Sequence, residues 1–422
     1  MIAPTGGILA EFPGVRKINA IVKELLKWYA KNARDLPWRR TTDPYWIYVS
    51  EIMLQQTQVK TVIPFWERWR RELPTIEAAA KASPDKLHKL WEGLGYYARV
   101  RNLQQAAQVI VAQHGGVFPR LFDQVLALPG IGRYTAGAIC SIAFDQPVPI
   151  LDGNVIRVLT RIFGIAENPK EKAANARLWR LAEDLVLRAA ALDLGKESKS
   201  KSRTGTRMRT RTMDHGCSHL NQSLMELGAL VCTPRNAKCQ ICPVKRMCVA
   251  FQEDRVEALP KLGERAPATA RRFVAFVMER DGKFLVRQRP AGVVNAHLWE
   301  FPNVEIQGSR DGAQAGFKSS FGFAARAISP LATVRHSITR YRVTLEAFRV
   351  DAGATAVSGS GAAWKTPAQM HQLAFSSAHR KILRVLGASK PESSQKLPTQ
   401  RRQGARAQRF QSLGLNLWAS PL

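Results

Sequence analysis

From about Ile18 to Phe251 apolar residues recur mostly at three- and four-residue intervals, with Ser or Asp before apolar runs and Gly or Pro after them. That spacing keeps one stripe of a 3.6-residue helix facing inward turn after turn, so it predicts a domain of short helices. The period changes after a polar, Pro-containing stretch around Arg265 to Pro267. Phe273, Ala275 and Val277 alternate with other residues, Phe284 to Val286 is strand-like, and Arg342 to Val350 alternates again, which predicts a smaller α+β domain. The expected boundaries are an N-terminal tail over 1–17, a helical domain over 18–255, a linker over 256–268, the second domain over 269–388 and a disordered basic tail over 389–422. The sequence carries no internal repeat.

Composition sharpens this picture in two ways. At 422 residues the chain is long enough for two or three cores, and no apolar run is long enough to cross a bilayer, so no membrane partner is expected. The formal net charge of +30 favours a polyanion, with nucleic acid as the leading partner. Two low-complexity stretches, Lys196 to Arg211 and Lys390 to Arg409, carry part of the excess as flexible basic segments, and the rest of the chain is still basic.

Four cysteines, Cys232, Cys239, Cys242 and Cys248, are separated by six, two and five residues. Four thiolates on one turn-rich segment suit an iron–sulfur cluster or a structural zinc, and the unequal gaps differ from the paired knuckles of a zinc ribbon. With no signal peptide ahead of them, these thiols predict a reducing compartment. In a bacterium that is the cytoplasm, in association with the nucleoid; in a eukaryote it is the nucleus or mitochondrion.

Leu126-Ala-Leu-Pro-Gly-Ile-Gly-Arg-Tyr-Thr-Ala136 sets Pro and two glycines between apolar helical runs. It reads as helix, hairpin, helix. Gly130 and Gly132 let the backbone approach a ligand, and the N–H groups opening the second helix face an anion such as a DNA phosphate. Downstream, Ile150-Leu-Asp-Gly-Asn154 places Asp152 just ahead of a new helix, where it is a candidate site carboxylate as well as a helix cap. Upstream, Ile47, Glu51 and Leu54 share helical spacing, so Glu51 falls on an apolar side beside Ile52 and Met53. A carboxyl held among apolar groups has a raised pKa and can donate a proton, while a better-solvated one stays ionised.

With hairpin, Asp and cysteines in that order, the chain resembles the helix–hairpin–helix DNA glycosylases related to endonuclease III, and within them the adenine DNA glycosylases of the MutY type. The motifs that carry the resemblance are Leu36-Pro-Trp-Arg39, Ser50-Glu-Ile-Met-Leu-Gln-Gln-Thr-Gln-Val59, Gly93-Leu-Gly-Tyr-Tyr-Ala-Arg-Val-Arg-Asn102, Leu128-Pro-Gly-Ile-Gly-Arg-Tyr-Thr-Ala-Gly137 and Leu151-Asp-Gly-Asn154. Asn221-Gln-Ser-Leu-Met-Glu-Leu-Gly-Ala-Leu-Val-Cys232 and Leu298-Trp-Glu-Phe-Pro302 continue it, so that it covers roughly residues 18 to 388.

The resemblance implies a monomeric enzyme that removes adenine opposite 8-oxoguanine, or guanine, in double-stranded DNA and leaves an abasic site. The four cysteines would hold a [4Fe–4S] cluster. Glu51 would protonate adenine N7 and then assist water, Asp152 would stabilise or trap the cationic sugar, and Tyr134 and Asn154 would position the two. Leu36, Trp38, Arg39 and Gln222 would line the adenine pocket. Gln56 and Tyr96, with Leu54 and Thr57 nearby, would fill the gap left by the extruded base.

Bifunctional relatives carry a lysine where this chain has Tyr134, so no Schiff base and no efficient strand cleavage are expected. The second domain looks like a Nudix-like lesion reader without the acidic magnesium-binding run. Where the family usually has Phe-Ser-His in its lesion-reading loop, this chain has Ile338-Thr-Arg340, which keeps a hydroxyl at Thr339 and loses the aromatic and the imidazole. A second departure is a long basic insertion over about 193–220. The competing functions are an endonuclease III-like glycosylase/lyase for oxidised pyrimidines, disfavoured by Tyr134 and the second domain, and a non-catalytic DNA-binding iron–sulfur protein, disfavoured by the presence of both Glu51 and Asp152.

Overall fold

A computed structural model describes residues 14–197, 216–264, 267–306, 312–338, 340–353 and 361–388. The expected basic tail over 389–422, residues 198–215 of the basic insertion, and Thr339 lie outside the described residues, as do residues 1–13. The chain forms two units, one of Met1–Leu90 with Ala98–Arg265 and the other of Trp91–Tyr97 with Ala266–Leu422.

The first unit is helical among its described residues. Its helices are α1 (Val15–Asn32), α2 (Pro44–Leu54), α3 (Val59–Glu72), α4 (Ile76–Lys81), α5 (Pro84–Trp91), α6 (Ala98–His114), α7 (Phe122–Leu126), α8 (Arg133–Phe144), α9 (Gly153–Phe163), α10 (Lys172–Glu197), α11 (Gly216–Leu230) and α12 (Val249–Gln252). Helix α1 shows how the pattern works: Ile18, Ile21, Val22, Leu25 and Tyr29 recur at three- and four-residue steps and are the buried ones. Helices α2 and α11 are different, being apolar or buried on nearly every side. Residues 47–53 of α2 are all buried, and α11 packs against α1, α8, α9 and α10. Any charged group on either helix is therefore held inside the protein.

Local signals set the starts of the site-bearing helices. Asp43 caps α2 by accepting from the Tyr45 N–H, with Pro44 in the first turn, and Asp152 caps α9 by accepting from the Val155 N–H. Helix α9 stops at Gly164, whose φ of 66° closes it with a left-handed residue.

The second unit is built on a mixed sheet: β1 (Thr269–Arg280), β2 (Lys283–Gln288), β3 (Trp299–Glu300), β4 (Asn303–Ile306), β5 (Ala327–Ile338), β6 (Tyr341–Asp351) and β7 (Ala362–Lys365). Its order is β3-β2-β1-β6-β5, with β4 on β1 and β7 on β2. The central pair β1–β6 is parallel and the other pairings are antiparallel. Helix α13 (Gly312–Phe321) covers one face, and α14 (Pro367–Gln372) with α15 (Ser377–Ala388) covers the other.

The alternation of Phe273, Ala275 and Val277 ordinarily implies one buried face. The structure buries both. Val274, Phe276 and Met278 pack with Phe317 of α13, while Ala275 and Val277 pack with Phe375 and with Ile382 of α15. A central strand between two helical layers has no solvent face to leave polar.

The stretch expected to open the linker is also packed. Leu259 is buried with Cys248 and Ala250, and its carbonyl accepts from Arg161 Nε at 2.9 Å. The buried apolar side chain and the used carbonyl tie residues 256–260 to the helical unit.

Candidate active site

Glu51 stands in the middle of α2 between Ser50 and Ile52, only 6 % exposed. Tyr134, at the start of α8, donates its hydroxyl to Glu51 Oε2 at 2.8 Å and also meets Met225 Sδ at 3.3 Å. Burial disfavours the Glu51 anion and raises its pKa; the Tyr134 hydrogen bond pulls it back, the nearby Asp152 charge raises it again, and the result is about 7. The Tyr134 phenol is pushed well above its ordinary value by the same burial and by the two carboxylates, so it remains a donor.

Asp152 is held by a different set of partners. Its Oδ1 accepts from the Val155 N–H at 2.7 Å and its Oδ2 from Asn154 Nδ2 at 3.0 Å. Burial raises its pKa, and these hydrogen bonds together with the Arg157 charge oppose that rise. Arg157 in turn donates from Nη2 to Asn154 Oδ1 at 2.9 Å and to the Gly228 carbonyl at 2.8 Å, and from Nε to the Cys232 carbonyl at 2.7 Å. Gly228 is required for this contact, because a Cβ there would sit 2.7 Å from Asn154 Cβ. One guanidinium thus joins the Asp152 loop to the first cysteine of the cluster.

The residues expected around the base fall into two groups. Arg39 and Gln222 belong to one network, in which the Tyr29 hydroxyl donates to Gln222 Oε1 at 2.9 Å, Arg39 lies over the Tyr29 ring, and Arg39 Nη2 reaches Glu226 Oε2 at 2.9 Å. Arg34 adds hydrogen bonds from its backbone N–H and Nε to Glu226 Oε1 and from Nη2 to Oε2. Burial would raise the pKa of Glu226, but the Arg34 and Arg39 hydrogen bonds outweigh it and hold the carboxyl at about 2. Leu36 and Trp38 are buried, and Trp38 packs edge-on against Trp66 at 6.2 Å, within an aromatic cluster.

Sequence reasoning missed Glu226, Arg34, Tyr29 and Met225. The available signal was an acid four residues after Gln222, next to Leu224, Met225 and Leu227, an anomaly like the one that marks Glu51.

The hairpin before α8 exposes Gly130, Gly132 and Arg133 while Leu128 and Ile131 are buried. Gly130 has φ 73°, and a Cβ would lie 2.5 Å from Asn102 Cβ. No side chain caps α8, so its first N–H groups remain available to an anion. Leu54 ends α2, and Gln56 follows with a left-handed φ of 54°; Thr57 Oγ1 donates to the Gln55 carbonyl at 3.3 Å. Tyr96 is also left-handed, with φ 48°, and exposed; it belongs to the short segment of the second unit.

Cys232, Cys239, Cys242 and Cys248 line one cavity together with Arg161, Lys245 and apolar residues that include Val158, Ile162, Leu227, Val231 and Phe251. Arg161 Nη1 approaches Cys232 Sγ at 3.4 Å and donates to the Thr233 carbonyl at 2.7 Å. Burial and the neighbouring sulfurs push the Cys242 thiol up to about 12. Among the described residues, no group of three or more His, Cys, Asp or Glu converges as around one metal ion.

Residues 49–184 match the model of the HhH-GPD superfamily base excision DNA repair proteins, and residues 273–385 match that of the NUDIX domain. Adenine DNA glycosylase of Rattus norvegicus is 33 % identical over 437 residues, covering 89 % of this chain and 79 % of the rat protein. That of Homo sapiens is 32 % identical over 442 residues, covering 90 % and 76 %. Among solved structures, a thermostable thymine-DNA glycosylase is similar at 29 % identity and TM-score 0.46, covering 56 % of this chain and 98 % of that one. With a hairpin glycosylase domain, two carboxyls held by different hydrogen-bond partners and relatives alike over most of its length, the chain belongs to the adenine DNA glycosylases, the base-excision-repair enzymes that act on DNA and hydrolyse the N-glycosyl bond of adenine.

Proposed function

We propose that this enzyme removes adenine opposite 8-oxoguanine, and more slowly opposite guanine, as a monofunctional glycosylase. The observation that carries the chemistry is the contrast in partners of two carboxyls that burial raises alike: Glu51, at about 7, accepts from the Tyr134 hydroxyl, whereas Asp152 accepts from the Val155 N–H and from Asn154 and has the Arg157 charge beside it. A protonated Glu51 donates to N7 of the extruded adenine, the C1′–N9 bond breaks with its electron pair going to the base, and positive charge develops on the sugar. Asp152 opposes that charge, oriented through Asn154 and Arg157. Water then adds at C1′ and gives its proton to Glu51, which returns to its starting state. Tyr134 keeps Glu51 in place and, having no amine, forms no Schiff base with the sugar.

Recognition of the oxidised base falls to the second unit. It carries the NUDIX match, yet α13, Gly312–Phe321, contains no Asp or Glu with which to bind magnesium. A fold that retains the nucleotide-binding architecture without those acids suits reading a base rather than hydrolysing a nucleotide.

Single-turnover release measured on duplexes with adenine opposite 8-oxoguanine, guanine and thymine tests the proposal. Release is expected to be fastest opposite 8-oxoguanine, slower opposite guanine and absent opposite thymine, with the strand intact until the abasic site is cleaved chemically. Equal rates opposite all three, or release of an oxidised pyrimidine, would overturn it.

We read the cysteine cavity as the seat of a [4Fe–4S] cluster rather than of a zinc ion. The support for this is that all four cysteines line one shared cavity and that their unequal spacing differs from the paired knuckles of a zinc ribbon. Cys232, Cys239, Cys242 and Cys248 would hold the cluster, which when bound supplies the positive charge that lets buried thiolates form and ties the loop together. Purified protein is expected to be brown, with about four irons per chain by metal analysis. Colourless protein with a single zinc would remove the cluster from this reading.

A further inference from the structure

The C-terminal end of α2 is held by a side chain from another helix. Arg99, on the first turn of α6 and only 9 % exposed, donates from Nη1 to the carbonyls of Ile52 at 2.8 Å, Met53 at 3.1 Å and Gln55 at 2.6 Å. Its Nη2 lies 3.4 Å from Thr57 Oγ1, and the Thr57 N–H closes the turn onto the Leu54 carbonyl at 3.1 Å. The last carbonyls of a helix have no partner within it, and here one guanidinium gathers them.

Gln56 sits between the clamped residues with φ 54°. A residue with a Cβ holds that left-handed shape only where its surroundings over-determine it. Here those surroundings are Arg99 and the Thr57 turn. Shape at this point bears on function because the resemblance to the adenine glycosylases gives Gln56 the task of filling the gap that the extruded base leaves.

We propose that Arg99 is a positioning residue for base extrusion, whose guanidinium keeps the Gln55–Gln56–Thr57 turn in the shape that enters the duplex. This rests on the reading of Gln56 as a gap-filling residue. Arginine suits the task because its planar fork meets several carbonyls at once from a fixed orientation, which a lysine ammonium on a flexible stem does not.

The test uses the full chain with Glu51→Gln, so that the base is not released, and a duplex carrying 2-aminopurine as the target base opposite 8-oxoguanine. Fluorescence at saturating enzyme then reports the extruded fraction. Arg99→Met is expected to lower the extrusion equilibrium about tenfold or more, as fits the loss of several charged hydrogen bonds, and Arg99→Lys to lower it less. Gln56→Ala is expected to lower it too, and Arg99→Met combined with Gln56→Ala to be no worse than Gln56→Ala alone, because both act through one turn.

A purely structural arginine would move the melting temperature and leave extrusion by folded protein unchanged, or its effect would multiply with that of Gln56→Ala. Either result overturns the proposal. If Arg99→Met does not fold, Arg99→Lys carries the same comparison. If Gln56→Ala by itself extrudes normally, the gap-filling reading falls and the inference falls with it, a failure distinct from one in which only the arginine variants are normal.

Discussion

Glu51→Gln is expected to bind the mispaired duplex and to lower the single-turnover rate of adenine release on the order of 10³-fold, the scale of a positioned proton donor. Glutamine preserves the shape and can still accept from Tyr134, so what is lost is the proton. The pH dependence has a definite direction. With its pKa at about 7, Glu51 is protonated below neutrality and ionised above, so wild-type release falls as pH rises through 7 while the residual rate of the variant stays flat there.

Stability moves in the same window. The native state binds a proton that the unfolded chain has already released between the ordinary value of 4.5 and about 7, so wild-type stability declines across that interval and then levels off. Glutamine cannot ionise. The variant should therefore match the wild type near pH 4 and exceed it at pH 8 by roughly 3 kcal/mol, the free-energy equivalent of that shift. Denaturant melts at the two pH values measure this. Release within tenfold of the wild type, or a stability difference independent of pH, would take the acid's role from Glu51.

Asp152→Asn is the second large effect, also on the order of 10³-fold in single-turnover rate, since it removes the charge aimed at the developing cation. Asparagine caps helices as well as aspartate does and still accepts from the Val155 N–H, so α9 should stay folded. The melting temperature is expected to change by a few degrees at most, and binding of the uncleaved duplex to persist. A rate within tenfold of the wild type would mean that the sugar is stabilised by another group. A collapse of the melting temperature would instead point to a capping role alone.

Much of the site was legible because its residues break local rules. An acid inside the apolar run of α2, two glycines in a helical hairpin and an Asp ahead of a helix each violate or punctuate a short pattern, and short patterns are visible in sequence. The Arg34–Glu226 pair is not of that kind. Its members are separated by 192 residues, and nothing near Arg34 says that its partner is a buried carboxylate. Arg157 is similar, an unremarkable basic residue on α9 until the Gly228 and Cys232 carbonyls are brought to it. The two-faced burial of β1 escaped for a related reason: alternation at Phe273, Ala275 and Val277 describes one face, and only the helices packed on each side show that the intervening Val274 and Phe276 are core as well.

The parallel pairing of β1 with β6 also governs the order in which the second unit can be made. Thr269 pairs with Tyr341 and Met278 with Val350, so each residue of β1 waits for a partner some seventy positions later in the chain. During synthesis the apolar run of β1 emerges from the ribosome before its central neighbour exists, and contacts so distant in sequence form slowly. The helical unit, complete by about residue 264 and rich in local contacts, can already be folded while that run is still unpaired. Translation that stops before β6 would leave a finished glycosylase unit followed by a sticky, unpaired strand, a species suited to aggregation and to chaperone capture.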